Sequence, residues 1–458
     1  MVVVDRSEYP EVVEFPVDGP SREKLDRLRT TFLEKFGSEP QIFTRVPGRV
    51  NLIGEHIDYC GYSVCPMAIE QDIVIAASSL SGDGPFLQVT NTKEEHKGAL
   101  IPDRDFTISI ELQGWVSYVM CGVKGAMSVL SSPPVRMVMA VSGTVPEGSG
   151  LSSSSALVCA SFLTTTHLNN MKLNKTKLSE LSACCERFIG MEGGGMDQAI
   201  AFLATKGCAK HIMFNPVRTQ DVKLPQEAVF VIGSSLVRKN KAESSEYNTR
   251  VVECRLASQL IAKKCHLNWK EIRTVVSVQN ALGVSLDELL DLVDKHLHKD
   301  PYTKEEICKE LEVDEKELNN VSLTSNTLSL TMFKLHPRIS HVISEANRVN
   351  LWLNEESIEG LGHLMNKSHQ SMRDLYEASD PACDKLVENA LSAGALGARI
   401  TGAGWGGCVV ALTTANHVDK FLKELECSFY SNYQGPIDEV LFKTEPQNGA
   451  NIFKSKLF

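Results

Sequence analysis

The stretch Val145-Pro-Glu-Gly-Ser-Gly-Leu-Ser-Ser-Ser-Ser-Ala156 stands between two runs of different period. Before it, Val135 to Val141 is rich in β-branched and thioether side chains and predicts a buried strand; after it, Leu157, Ala160, Phe162 and Leu163 give a helical apolar face. Gly148 and Gly150 permit a tight turn and a close backbone approach. Ser152 to Ser155 fall where a new helix presents unpaired N–H groups and the positive end of its dipole. Such a junction either holds phosphate or is a serine-capped turn, and the loop by itself leaves both open.

At 458 residues the chain exceeds one ordinary core, so two lobes are expected. With 43% hydrophobic and 23% charged residues it has the balance of a globular chain that can fill those cores. A net charge of −10 opposes broad binding to nucleic acid or an anionic membrane and makes a small molecule the expected partner. The 13 cysteines contain no Cys-x-x-Cys pair, and Cys159 and Cys184 sit in apolar helical runs, which predicts a reducing, cytoplasmic setting. The opening Met-Val-Val-Val-Asp is too short for a secretion signal and no apolar run reaches bilayer length, so neither a membrane nor nucleic acid is expected as partner. A monomer is expected.

Outward from the loop, a helix is predicted from a capping Ser21 to Gly37 with Leu25, Leu28 and Phe32 on one face, and strands at Phe43 to Val46, Ile73 to Ala77 and Ala228 to Ile232. The segment Pro47-Gly-Arg-Val-Asn-Leu-Ile-Gly-Glu-His-Ile-Asp-Tyr59 crowds Arg49, Glu55, His56 and Asp58 into one turn-rich stretch without amphipathic spacing. These side chains can grip the hydroxyls of a polar ligand, or form a solvated loop with an internal Arg–carboxylate pair. A metal on His56 and Asp58 lacks further ligands at metal-site spacing. A helix from about Leu178 to Ile189 runs into Gly190-Met-Glu-Gly-Gly-Gly-Met-Asp-Gln198, whose three successive glycines imply a close approach. Asp197 after them either orients a hydroxyl or caps the next helix.

Two further stretches complete the pattern. Residues 285–320 form a charge-laced helical insert with capping spacings at Ser285/Glu288 and Thr303/Glu306, to which no chemistry is assigned. In Ala398-Arg-Ile-Thr-Gly-Ala-Gly-Trp-Gly-Gly-Cys-Val-Val410, the glycines at 402, 404 and 407 have dinucleotide-fingerprint spacing, but the strand-like Cys-Val-Val-Ala-Leu-Thr that follows excludes it. A glycine hairpin that lets backbone approach a ligand is the better reading. Walker and protein-kinase motifs are absent.

Taken in order, the 47–59 segment, the serine loop and Thr401-Gly-Ala-Gly-Trp-Gly-Gly-Cys408 resemble the three motifs of the GHMP small-molecule kinases, the first being the galactokinase signature. Within that group the chain is most similar to the N-acetylgalactosamine kinase type, through Gly193-Gly-Gly-Met-Asp-Gln198, Arg250-Val-Val-Glu-Cys-Arg-Leu-Ala257 and Ser368-His-Gln-Ser-Met-Arg-Asp-Leu-Tyr376. The resemblance implies an α+β fold of two lobes with ATP and sugar in the cleft between them. The division expected is 1–215, carrying the sugar signature and serine loop, and 216–458, carrying the helical insert and the motif at 398–410.

The implied activity is ATP-dependent phosphorylation of the C1 hydroxyl of N-acetylgalactosamine, with galactose a poorer substrate. The alternatives are a kinase preferring galactose and a non-catalytic sugar and ATP sensor acting on a protein partner. Carried over by position, Glu55, His56 and Asp58 would bind sugar hydroxyls, Asp197 would face the C1 hydroxyl, and Arg49 would stand between Asp197 and the transferred phosphoryl. Gly148, Ser149, Gly150, Ser152 and Ser153 would cradle the phosphates, with Asn240 and Lys241 holding the nucleotide and Trp115 and Tyr118 near the adenine. Ser153 and Glu186 are the implied Mg²⁺ positions. Glu147 beside the loop and Ser234 depart from the family pattern.

Overall fold

Period-two burial on the strand Arg136–Gly143 sets the layering of the first half of the chain. Val138 and Ala140 face a cluster with Leu25, Leu28 and Phe32, while Met137, Met139 and Val141 face the main core. This strand belongs to a seven-stranded sheet ordered Glu11–Val13, Asn451–Lys454, Ile42–Ile53, Cys65–Leu80, Arg136–Gly143, Leu87–Asn91, Ala99–Ile101. Its neighbours are antiparallel except the first pair and the pair of Leu87–Asn91 with Arg136–Gly143. The last strand of the chain is thus laid into a sheet built from its first half. The computed structural model describes residues 8–14, 19–239 and 244–455.

The outer face of this sheet is covered by the helix Gly19–Phe36, which begins two residues before the expected Ser21 cap. On the inner face lies the helix Ser153–Leu168, where the structure corrects the one-faced reading: this helix is buried on nearly all sides, between the sheet and the helix Val116–Met127. A helix walled in all round has no polar stripe to show in its sequence. The helix foreseen at 178–189 is Lys175–Ala183 followed by a 3₁₀ turn, Cys185–Ile189.

The second half is built on a four-stranded antiparallel sheet ordered Gly397–Thr401, Cys408–Thr414, Ala228–Ser234, Leu441–Thr444. The third glycine motif is the turn joining its first two strands. Helices Ile358–Asp374 and Pro381–Ser392 lie on this sheet, and Leu335–Trp352 packs on Glu246–Lys264. The insert resolves into helices Leu286–His296, Lys304–Leu311 and Glu315–Ser322; Ser285 and Glu288 make the reciprocal capping box, whereas Thr303 only accepts from the Glu306 N–H. The chain is mixed α+β.

The two sheets meet at the end of the strand Ile42–Ile53, where Arg399 Nη1 donates to the Asn51 carbonyl at 3.1 Å. That strand is far longer than the expected Phe43 to Val46 and carries irregularities at Pro47/Arg49 and Asn51/Ile53. The signature segment is therefore not one turn-rich loop. Arg49 stands on the strand, and residues 55–59 make the turn after it.

Candidate active site

The phosphate end of the site follows from backbone conformation. Gly148, Gly150 and Ser152 have φ of 63°, 78° and 63°, which turn the chain sharply into the 16-residue helix starting at Ser153. The Ser152 hydroxyl is buried and has no partner among the described residues, and it makes no capping bond to its own helix. A buried hydroxyl left unmade beside the open N–H groups of a helix terminus fits phosphate oxygens. Ser149 also lines the cleft, with its hydroxyl donating to the Pro146 carbonyl at 2.6 Å.

Backbone packs on backbone behind the loop. A Cβ on Gly150 would come within 2.5 Å of the Thr401 carbonyl oxygen, and one on Gly402 within 2.3 Å of the Gly150 carbonyl oxygen. The third glycine motif was expected to let backbone approach a ligand; Gly402 does line the cleft, and the motif also packs closely on the 148–153 loop and, at Gly404, on the Ala378 carbonyl oxygen, 2.1 Å from where a Cβ would stand. Glu147 turns toward the segment after Leu87–Asn91, with its Oε1 at 2.7 Å from His96 Nε2 and 3.4 Å from Lys93 Nζ. Trp115 and Tyr118 line the same end of the cleft, and the Trp115 indole N–H donates to the Lys97 carbonyl. Asn240 and Lys241 lie outside the described residues; Arg238 and Lys239 before them line the cleft, and the Lys239 N–H donates to the Gly148 carbonyl at 3.1 Å.

Between the two ends, Arg49 joins the phosphate loop to a carboxylate. Its Nε donates to Asp197 Oδ1 at 2.8 Å and its Nη1 to the Gly150 carbonyl. Asp197 sits in the first turn of the helix Met196–Leu203, and the turn before that helix is pressed onto the turn at residues 55–59: a Cβ on Gly194 would fall 2.2 Å from the Tyr59 nitrogen. Asp58 Oδ2 accepts the Met196 N–H at 3.3 Å, closing the same contact. Ser155 Oγ lies 2.6 Å from Glu186 Oε1 and 3.1 Å from Asp197 Oδ2.

At the far end, Glu55 is held from the second half of the chain. Glu345, fully buried, accepts the N–H groups of Gly54 and Glu55 at 2.9 and 3.1 Å, the Ser368 hydroxyl at 2.7 Å and Arg348 Nε at 2.6 Å. Arg399 Nη2 meets Glu55 Oε2 at 2.9 Å, and His341 Nε2 donates to the Glu55 carbonyl. Burial pushes the Glu55 carboxyl up to about 7, offset in part by Arg399 and Arg49. Burial also works against the Glu345 charge, yet Arg348 and Arg399 hold that carboxyl well below the usual range.

His56, at φ 63°, has both ring nitrogens engaged: Nε2 donates to the Ala403 carbonyl at 2.9 Å, so Nδ1 accepts the Tyr59 hydroxyl at 2.7 Å. Burial lowers its pKa to about 3, keeping the ring neutral. With no ring nitrogen left open, His56 shapes the turn, which corrects its expected part as a direct hydroxyl ligand.

One cleft of about 490 Å³ is lined by Arg49, Glu55, Asp58, Asp197, Glu186 and Tyr247 among others. Among the described residues no three His, Cys, Asp or Glu gather as a metal site; Ser153 and Glu186, the positions expected for a hard cation, both line the cleft. Sequence reasoning missed Tyr247, Ser155, Arg399 and Glu345. Ser155 was in view as a capping residue and Arg399 stood inside a motif read for its glycines; the other two carry no local signal.

The galactokinase galactose-binding signature matches residues 30–79, the GHMP kinase N-terminal domain 117–205 and the GHMP kinase C-terminal domain 347–432. A galactokinase of Dictyostelium discoideum is 38% identical over 475 residues, covering 95% of both chains. The chain belongs to the galactokinase branch of the GHMP kinases. It is also similar to the galactokinase of Saccharomyces cerevisiae, at 32% identity over 95% of this chain and 96% of that one. In fold this GHMP kinase matches a Lactococcus lactis galactokinase solved with galactose, at a TM-score of 0.72 and 23% identity, covering 93% and 99% of the two chains. A mevalonate kinase shares the fold at a TM-score of 0.55.

Membership makes the protein a phosphotransferase with an alcohol acceptor, and a kinase of this family uses ATP. The relatives support the galactokinase assignment and do not reach the narrower N-acetylgalactosamine kinase likeness. No helix among the described residues is long and apolar enough to cross a membrane.

Proposed function

We propose that this GHMP kinase transfers the γ-phosphoryl group of ATP to the C1 hydroxyl of a galactose-configured sugar. The observation that carries the reading is the bridge made by Arg49 between Asp197 and the carbonyl of Gly150. One guanidinium thereby sets the carboxylate that meets the acceptor hydroxyl beside the loop that holds the donor phosphate. In-line transfer depends chiefly on such positioning and on neutralising charge, which Arg49 and the helix terminus at Ser153 supply. Asp197 takes the hydroxyl proton as the new O–P bond forms, a contribution of roughly 10²–10⁴-fold. Asp58 and Glu55 accept sugar hydroxyls. A magnesium ion on Ser153 and Glu186 would draw charge from the phosphate oxygens when bound.

Galactose is the acceptor that the relatives named galactokinase favour. The sharper reading, N-acetylgalactosamine preferred and galactose accepted less well, rests on the resemblance through residues 193–198, 250–257 and 368–376. The open space at Gly193, where an added Cβ would meet no atom within 4 Å, supports it. Room must be joined by a partner for the amide, since an unpaired buried amide costs roughly 1–3 kcal/mol. The test is the ratio of kcat/KM for the two sugars at saturating MgATP. A tenfold margin for galactose, about 1.4 kcal/mol, ends the N-acetylgalactosamine reading, and turnover on neither sugar ends the kinase reading in favour of a sensor. The cytoplasmic monomer and a lobe division near residue 215 belong to the same proposal.

A further inference from the structure

Ser155 has no part in the transfer as written, yet its hydroxyl ties together two carboxylates of the cleft, Glu186 and Asp197. It is 1% exposed and comes from the first turn of the helix behind the phosphate loop. Glu186 comes from the 3₁₀ turn Cys185–Ile189 and Asp197 from the first turn of Met196–Leu203, so three separate elements converge on one oxygen. A cap of its own helix would not require this: Ser155 lies two residues inside the helix start at Ser153, and its hydroxyl is directed at the two carboxylates.

The chemistry of that oxygen is restrictive. A hydroxyl has one proton to donate, so it satisfies one carboxylate at a time, and the 2.6 Å distance to Glu186 against 3.1 Å to Asp197 favours Glu186 in this state. Without it, the buried Glu186 and the part-buried Asp197 lose the hydroxyl that bridges them, while Arg49 pairs with Asp197.

We propose that Ser155 is a positioning residue that sets the spacing of Asp197 and Glu186, and so aligns the sugar hydroxyl with the phosphoryl group. This rests on the kinase reading above. When the charge of Glu186 is engaged by a cation, the same hydroxyl is free to turn to Asp197, so the state of the phosphate side is felt at the acceptor side. A phosphoryl acceptor displaced by a fraction of an ångström reacts much more slowly while binding almost as well.

The test is Ser155→Ala, with Ser155→Thr as the variant that keeps the hydroxyl. In Ser155→Ala, kcat is expected to fall tenfold or more with both KM values within threefold of wild type. The affinity of the enzyme–ADP complex for Mn²⁺, read by electron paramagnetic resonance without turnover, is expected to fall several-fold. Sugar affinity by calorimetry, without nucleotide or metal, should stay within threefold, and Ser155→Thr should recover most of kcat. A folded Ser155→Ala protein with kcat within twofold of wild type and unchanged Mn²⁺ affinity overturns the proposal. So does a loss shared equally by Ser155→Thr and tracking a lowered melting temperature, which would make the role structural. Failure of the wild type to phosphorylate any sugar would instead break the kinase reading, while the Mn²⁺ arm still reports on Ser155.

Discussion

At residues 54–58 two backbone N–H groups, a backbone carbonyl, a carboxylate and both nitrogens of an imidazole are each met by another group of the chain. At residues 148–153 the buried Ser152 hydroxyl meets none among the described residues, and the helix terminus beside it is open. On the function proposed above, the difference follows from what each end is to hold. A sugar offers neutral hydroxyls that bind weakly one by one, so its acceptors must be fixed beforehand, even through a buried ion network that is costly to assemble. A polyphosphate brings its own charge and acceptors, so the protein serves it by leaving donors unpaired.

Four experiments strain that comparison. Asp197→Ala removes the carboxylate where the two ends meet and should lower kcat by roughly 10²–10⁴-fold with the dissociation constant of ATP little changed. Single-turnover rates and equilibrium nucleotide binding check it, and full activity in a folded variant would remove Asp197 from the mechanism.

Glu345→Ala strands the guanidinium of Arg348 and two backbone N–H groups in the interior. Stability should drop by roughly 3–5 kcal/mol, read by denaturant unfolding, and the sugar KM should rise well before the ATP KM does. Equal effects on both substrates would mean that the network supports the whole cleft.

Ser152→Ala probes the opposite design. Losing a hydroxyl that donates to a charged phosphate should weaken ATP binding by roughly 1.5–3 kcal/mol, while the melting temperature holds or rises because an unpartnered buried polar atom is gone. A fall in stability with unchanged nucleotide affinity would show that the hydroxyl has a structural partner instead.

The smallest effect is one of pH. Burial lowers His56, His341 and His369 to about 3, 4 and 4, so their neutral burial contributes fully above the ordinary histidine value of 6.5 and is lost as pH falls toward those values. Glu55, raised to about 7 from 4.5, acts with the opposite sign between those two values. Three groups against one make the melting temperature lower at pH 5 than at pH 7. Replacing His341 with Asn should flatten that slope, and an unchanged slope would mean that the buried imidazoles do not govern it.

The strand-loop-helix order around residues 145–156, the polar crowding at 47–59 and the glycine turn before Asp197 could be read directly, because each is a local departure from periodic patterning that only a tight turn or a ligand explains. Together with the family resemblance they determined the fold class and the type of chemistry. Other features were decided only by the tertiary structure. Glu55 meets Arg399 and its backbone meets Glu345 across roughly three hundred residues of sequence, and Ser155 meets Glu186 and Asp197 across three elements. No local pattern encodes such pairs, since a buried Glu or Arg reads in sequence like any surface charge. The glycines at 402 and 407 show the same limit: sequence says that something must come close to them, and only the folded chain shows that it is the backbone of Gly150 and Ser149, because close approach is fixed by which strands become neighbours.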